Sequence, residues 1–228
     1  YIERNPVKKL KRPRLPDQPP KAIDDDDLER MLTTAYSNRR DYALLCFLAI
    51  TGCRIGGLVG LKVGDLDLET GRAWVTEKGR GGGKRRVVYI PEASLTSLKD
   101  YLYNERRWGD LQAVFLTGDG RALTADGVRS LLRRLAERSG VSAHINPHAF
   151  RHRFARNLLS NGCDLGTVSQ LMGHTGVDVT VKFYGRWADE ELRVKHAKFS
   201  TLPRPKAIDG KKKEEETRGV PQNEARKL

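Results

Sequence analysis

Apolar residues recur along this chain with two different periods, and the change from one to the other divides it into blocks. Leu28, Met31, Leu32 and Ala35 stand three and four apart, the spacing of one helix face. Asp24 to Asp27 precede them, so a carboxylate cap and a negative first turn predict a helix start there rather than a metal site. From Arg39 to Ile50 the chain is apolar on nearly every side (YALLCFLAI), as a buried central helix requires, and Gly52 is placed to end it. From Leu66 the period falls to two. LDL, the turn ETGR, AWVTEK, a glycine-rich stretch GRGGG and KRRVVYI predict three short antiparallel strands. Helical spacing returns over Glu92 to Arg106 and Thr124 to Ser139. After Pro147 it marks His148 to Ser160, Asp164 to Met172 and Val179 to Tyr184, followed by a charged amphipathic helix over Asp189 to Phe199. The fold class is therefore mainly α with a small three-stranded antiparallel sheet, and there is no internal repeat.

Composition adds where the charge sits. The 228 residues hold 42 Lys+Arg against 29 Asp+Glu, a net charge of +13, and 38% of them are hydrophobic, which excludes full disorder. A basic excess favours polyanionic partners. Much of it lies at the ends. Residues 1–22 contain seven basic residues, two acidic residues and five prolines, and read as a basic linker. Residues 201–228 carry eight basic and five acidic residues and read as a solvated tail. The body over 23–200 carries only +5. No stretch approaches the roughly 20 apolar residues of a membrane span, and the N-terminus lacks a secretory apolar centre, so a soluble, cytoplasmic protein is expected. Cys46, Cys53 and Cys163 are odd in number and widely spaced, against both a disulfide framework and a zinc site.

The residues able to carry chemistry are few. In HAFRH, His148 and Arg151 are three apart at a helix start, which sets a group titrating near neutrality about one turn from a permanent cation. Such a pair suits a phosphodiester, although H-x-x-R alone is common. Arg54 follows a buried helix in TGCRIGGLVGL, where a charge needs an anionic partner. His174 ends the short helix in GHTGVDVTVKFYG, and Tyr184 lies ten residues on.

In order, TGCRIGGLVGLKVGDLDL, EKGRGGGKRRVVYIP and NPHAFRHRFARNLLSNGCDLGTVSQLMGHTGVDVTVKFYG resemble the catalytic domain of the tyrosine recombinases, the phage-integrase family, over about residues 23–200. The resemblance implies that fold, shared with type IB topoisomerases, and an N-terminal core-binding domain joined through the basic linker. It implies that Arg54 and Arg151 bind the non-bridging oxygens of a scissile phosphate and that His148 and His174 attend it. Lys78, with Lys84 as its rival across the glycine-rich turn, would protonate the leaving 5′ oxygen, and Tyr184 would be the nucleophile. One departure stands out: the family's acidic residue three positions after the first arginine is Gly57 here. His152, in the R-H step, reads as structural support, and His144 matches no family position.

On this resemblance the expected reaction breaks and rejoins double-stranded DNA through a 3′-phosphotyrosyl link. It needs no metal, cofactor or ATP, since two arginines do the electrostatic work and cationic neighbours lower the pKa of the tyrosine. A homotetramer on DNA is implied, with exchange of the C-terminal helix between protomers. Arg80, Lys84, Arg85, Arg86, Arg129, Arg133 and Arg134 are candidates for phosphate contact. Two other readings share the pattern: a DNA-binding regulator derived from this fold, and a type IB topoisomerase-like relaxing enzyme. Six intact reacting positions favour an enzyme, and the H-x-x-R and G-H steps favour the recombinase.

Overall fold

The computed structural model describes residues 21–77, 83–106, 112–141, 145–174 and 176–185, all within one compact unit. Lys78, Arg80, His144, the helix expected over Asp189 to Phe199, most of the basic linker and the whole tail lie outside the described residues.

Helix α1 (Asp25–Ala35) begins where the aspartates predict, but Asp24 makes no side-chain cap bond. The carboxylates turn instead to α6 (Pro147–Ser160), with Asp25 binding Arg153 at 2.7 Å. Helix α2 (Arg39–Thr51) is the apolar centre: Ala43, Leu44, Leu45, Phe47 and Leu48 are buried, and α1, α4 (Glu92–Asn104) and α6 pack around it. Asn38 caps its start by accepting the Asp41 N–H at 2.9 Å. A short helix α3 (Ile55–Val59) follows, which the two glycines of IGGLV gave no reason to expect.

Strands β1 (Leu66–Asp67), β2 (Arg72–Glu77) and β3 (Lys84–Tyr89) form the antiparallel sheet in sequence order, with Ala73 opposite Val88 and Glu77 opposite Lys84. In β2, Ala73, Val75 and Glu77 face inward by period-two alternation. Helix α5 (Ala125–Arg138) is capped by Thr124 and buries Val128, Leu131, Leu132 and Leu135. Helix α7 (Leu165–Met172), capped by Asp164, leads to α8 over 177–185.

Most buried apolar residues form one core around α2. A smaller cluster of Ala155, Leu159, Val168, Met172 and Tyr184 joins α6, α7 and α8. Cys53 is buried and Cys46 and Cys163 are half-buried, all three as free thiols. Among the described residues no helix is long and apolar enough to cross a membrane.

Candidate active site

The site is built where helix ends meet. Gly52 ends α2 in the left-handed conformation, and two residues later Arg54 stands at the N-cap of α3. Asn146 accepts the His148 and Ala149 N–H groups at 2.9 and 3.1 Å, and Pro147 presets the first turn of α6. That start places His148, Arg151 and His152 on successive positions around the helix.

Arg151 is buried, and its fork is spent on backbone. Nη1 donates to the Gly52 carbonyl and Nη2 to the Met172 carbonyl, each at 2.6 Å. Both carbonyls lie at helix C-termini, where the peptide dipoles present partial negative charge to a cation. Burial, then the nearby Arg54 cation, lowers the Arg151 pKa to about 10, so it remains charged at neutral pH.

Arg86, in β3, reaches the same helix end. Its Nη1 donates to the Leu171 carbonyl at 2.7 Å and its Nη2 to Glu77 at 3.0 Å. Gly173 makes room for it: with φ of 66°, a Cβ there would stand 2.5 Å from Arg86 Cδ. The glycine of the G-H step thus ends α7 and admits an arginine. Arg86, expected among the phosphate contacts, is thus directed at Glu77 and the end of α7.

Glu77 joins the arginines. Its carboxylate accepts the Arg54 N–H at 3.0 Å, Arg54 Nη1 and Arg86 Nη2. Glu77 is 4% exposed, while the Arg54 side chain keeps 39% of its surface. Burial pushes the Glu77 carboxyl up, but the Arg54 amide and the Arg86 and Arg54 cations outweigh it and hold it below the usual carboxylate range. Glu77 is the residue that motif reading missed. Period-two alternation carried the signal, since it aligns this acid with Ala73 and Val75 on the core face.

Tyr184 is 1% exposed and packs in the small cluster of α6, α7 and α8. Its hydroxyl lies 2.6 Å from His152 Nδ1. Burial pushes the phenol up to about 12, against the opposing pull of Arg151. This reverses the expectation that cationic neighbours lower it: in this arrangement burial outweighs the pull of Arg151, and the tyrosine rests as a neutral phenol. Burial, with His148 and Arg151 nearby, pushes His152 down to about 4, so its imidazole is neutral and Nδ1 can accept the phenol proton. His174 Nδ1 lies 2.7 Å from Thr180 Oγ1, and burial together with Arg151 and Arg54 pushes it down to about 4 as well. His148 is exposed, with its ring centroid 6.4 Å from that of His152.

The fold therefore gathers Arg54, Arg151, His174 and Tyr184 into one network with Glu77, Arg86 and His152, with His148 at its exposed edge. Lys78 directly follows Glu77 and lies outside the described residues. The rival Lys84 is exposed at the start of β3. Arg85 is exposed, pairs with Asp65 at 2.8 Å and lies over the Trp74 ring at 5.8 Å. Arg129, Arg133 and Arg134 are exposed on α5, with Arg129 paired to Asp126 at 2.5 Å.

Comparison with known proteins agrees with this geometry. The model of the phage integrase family matches residues 21–191. Tyrosine recombinase XerC of Oceanobacillus iheyensis is 31% identical over 208 residues, covering 87% of this chain and 67% of the relative. Tyrosine recombinase XerD of Listeria innocua is 33% identical over 189 residues, covering 78% and 62%. This chain thus spans about two thirds or less of the length of these relatives. Among solved structures, the XerA recombinase superposes with a TM-score of 0.70 at 29% identity, covering 82% of this chain and 68% of that one. The Tn1549 transposon integrase, at 22% identity and a TM-score of 0.66, shares the fold. With its ordered arginines, histidines and tyrosine brought to one site and the family model matched across its body, the chain belongs to the phage integrase family, the tyrosine recombinases.

Proposed function

We propose that this chain is the catalytic part of a site-specific DNA recombinase that cleaves and rejoins strands through a 3′-phosphotyrosyl intermediate. The observation that carries the reading is that Arg151 lies within electrostatic reach of Arg54, His174 and Tyr184 together. Phosphoryl transfer needs positive charge at the non-bridging oxygens, an aligned nucleophile and a proton for the leaving oxygen. Arg54 offers the exposed part of its guanidinium to the phosphate, while Arg151 supplies positive charge from below. His174 and His148 are the hydrogen-bonding groups beside it, and Lys78 is the donor to the 5′ oxygen. Tyr184 attacks phosphorus as the bond to the 5′ oxygen breaks, and His152 takes the phenol proton as attack proceeds. The ester keeps the energy of the broken bond, so the 5′-hydroxyl of another strand reverses the step without ATP.

The partner on this reading is double-stranded DNA; the solved Tn1549 transposon integrase is in complex with transposon right end DNA. Lys84, Arg85, Arg129, Arg133 and Arg134 contact phosphates from their exposed positions. Four copies act pairwise on two duplexes in the cytoplasm, and the segment after Tyr184 passes to a neighbouring protomer.

The decisive experiment incubates the protein with nicked duplexes carrying a randomised half-site and looks for a covalent adduct on a denaturing gel. We expect an adduct that Tyr184→Phe abolishes, a loss of at least about 10⁴-fold for removal of a nucleophile, and that a chelator leaves unchanged. An adduct that survives Tyr184→Phe, or none from the wild type, overturns the reading; an adduct lost to chelator overturns its metal-free form.

A further inference from the structure

The family's acidic residue is missing from α3, where Gly57 stands, yet a carboxylate is present in the same space. It arrives from β2. A Cβ built on Gly57 would lie 3.4 Å from Glu77 Cγ and 3.8 Å from Glu77 Oε1, with Val75 Cβ also at 3.4 Å. A side chain longer than alanine at residue 57 would therefore grow into the volume that the Glu77 side chain now fills.

Glu77 grips Arg54 at both ends. One oxygen accepts the backbone N–H at 3.0 Å and the other binds Nη1, so the residue's backbone and its guanidinium are fixed by one group. The same carboxylate accepts Arg86 Nη2 at 3.0 Å. A buried carboxylate is strongly unfavourable without partners, and this one has two cations and an amide. It also offsets part of the repulsion that Arg54 and Arg86 exert on Arg151.

We propose that Glu77 is the positioning carboxylate of this site, and that Gly57 and Glu77 are an exchange: the acid has moved from α3 to β2, and residue 57 carries no long side chain because the moved acid fills the space beyond its Cβ. Glu77 acts through Arg54, fixing where the guanidinium meets the phosphate. The catalytic role rests on the recombinase reading; the exchange of positions does not.

The test compares wild type, Glu77→Gly, Gly57→Glu and the double variant, with Glu77→Gln as the isosteric control. Each protein is assayed for its adduct rate on the duplex captured by the wild type, for affinity for that duplex, and for thermal melting without DNA. Glu77→Gly should slow adduct formation about 10- to 100-fold, the usual size for loss of an orienting partner. Gly57→Glu alone sets two carboxylates in one space and should lower both melting temperature and rate. The double variant should recover most of each. Glu77→Gln keeps the shape and an acceptor for the Arg54 amide but loses the charge; it should melt below the wild type, because the buried Arg86 loses its counter-charge, and, assayed well below its melting temperature, cleave at least about tenfold more slowly. In an Arg54→Ala background, Glu77→Gln should change the rate no further. Wild-type cleavage by a folded Glu77→Gln overturns the positioning role, and a double variant no better than the worse single overturns the exchange. If the wild type itself forms no adduct, the recombinase reading fails, while the melting cycle still decides the exchange.

Discussion

Arg54, Glu77, Arg86 and Arg151 form the floor of the candidate site, and Tyr184 with its helix forms its tyrosine side; the two are held in different ways. The floor is tied into the main core. Its charges are bonded to each other and to backbone carbonyls of α2 and α7, with Arg151 and Gly52 separated by 99 positions in sequence. Tyr184 sits in a cluster of only a few apolar side chains, and α8 leaves Val177, Val179, Val181 and Phe183 largely exposed. Side-chain contacts from His152 to the phenol and from His174 to Thr180 help to attach it. On the proposed recombinase reading, fixed charges cost no reorganisation at the moment of reaction, so the part that would meet the phosphate benefits from rigidity. On that reading a nucleophile 1% exposed with a pKa of about 12 is stored, and it must be brought out to attack. Segments with few buried contacts open most readily, which suits the tyrosine side to that movement.

The largest way to break this comparison is at Arg151. Arg151→Ala leaves two carbonyls at buried helix ends without their donor, which should lower stability by about 2–4 kcal/mol. It should also slow adduct formation by about 10³-fold through lost charge stabilisation. Denaturant melts and single-turnover cleavage measure both, and an unchanged melt would show that the floor is not part of the fold's support.

Met172→Ala tests the other side. Truncating this buried side chain should cost about 2–4 kcal/mol, but the loss should be local. Hydrogen exchange is expected to accelerate in α7 and over 177–185 while α2 keeps its protection. Equal acceleration in α2 would mean that the two sides are one cooperative unit.

A third effect concerns acid. His152 and His174 have folded pKa values near 4 against 6.5 in the unfolded chain, so between those values the unfolded state binds more protons. Stability from these groups is complete above about pH 6.5 and is lost as pH falls towards 4. Melting temperature should decline over that window, and His152→Asn or His174→Asn should each flatten the decline. A slope unchanged in both variants would show that neither imidazole is held neutral by the fold.

Most elements were legible because local pattern decided them. The continuous apolar run of α2, the alternation in β2 and the caps Asn38, Thr124, Asn146 and Asp164 act within a few residues. Boundaries moved by a residue or two, as where α4 ends at Asn104 rather than Arg106. Helix α3 escaped prediction because its formation depends on burial of Leu58 and on the Arg54 carbonyl, which accepts the Gly57 and Leu58 N–H groups at 2.9 and 3.1 Å. The roles of Glu77 and Arg86 were hidden for a related reason: a charge on a core-facing strand position declares itself only when its partner is known.

The sequence by itself determined the periodicity, the caps and the order of arginine, histidine and tyrosine motifs, since these are local or are carried by residue identity. Tertiary structure alone decided which cations share a carboxylate, that Arg151 spans two helix ends, and that burial sets the ionisation of Tyr184 against its cationic neighbour. Those outcomes depend on distance and on exclusion of water, and neither is a property of any one segment of the chain.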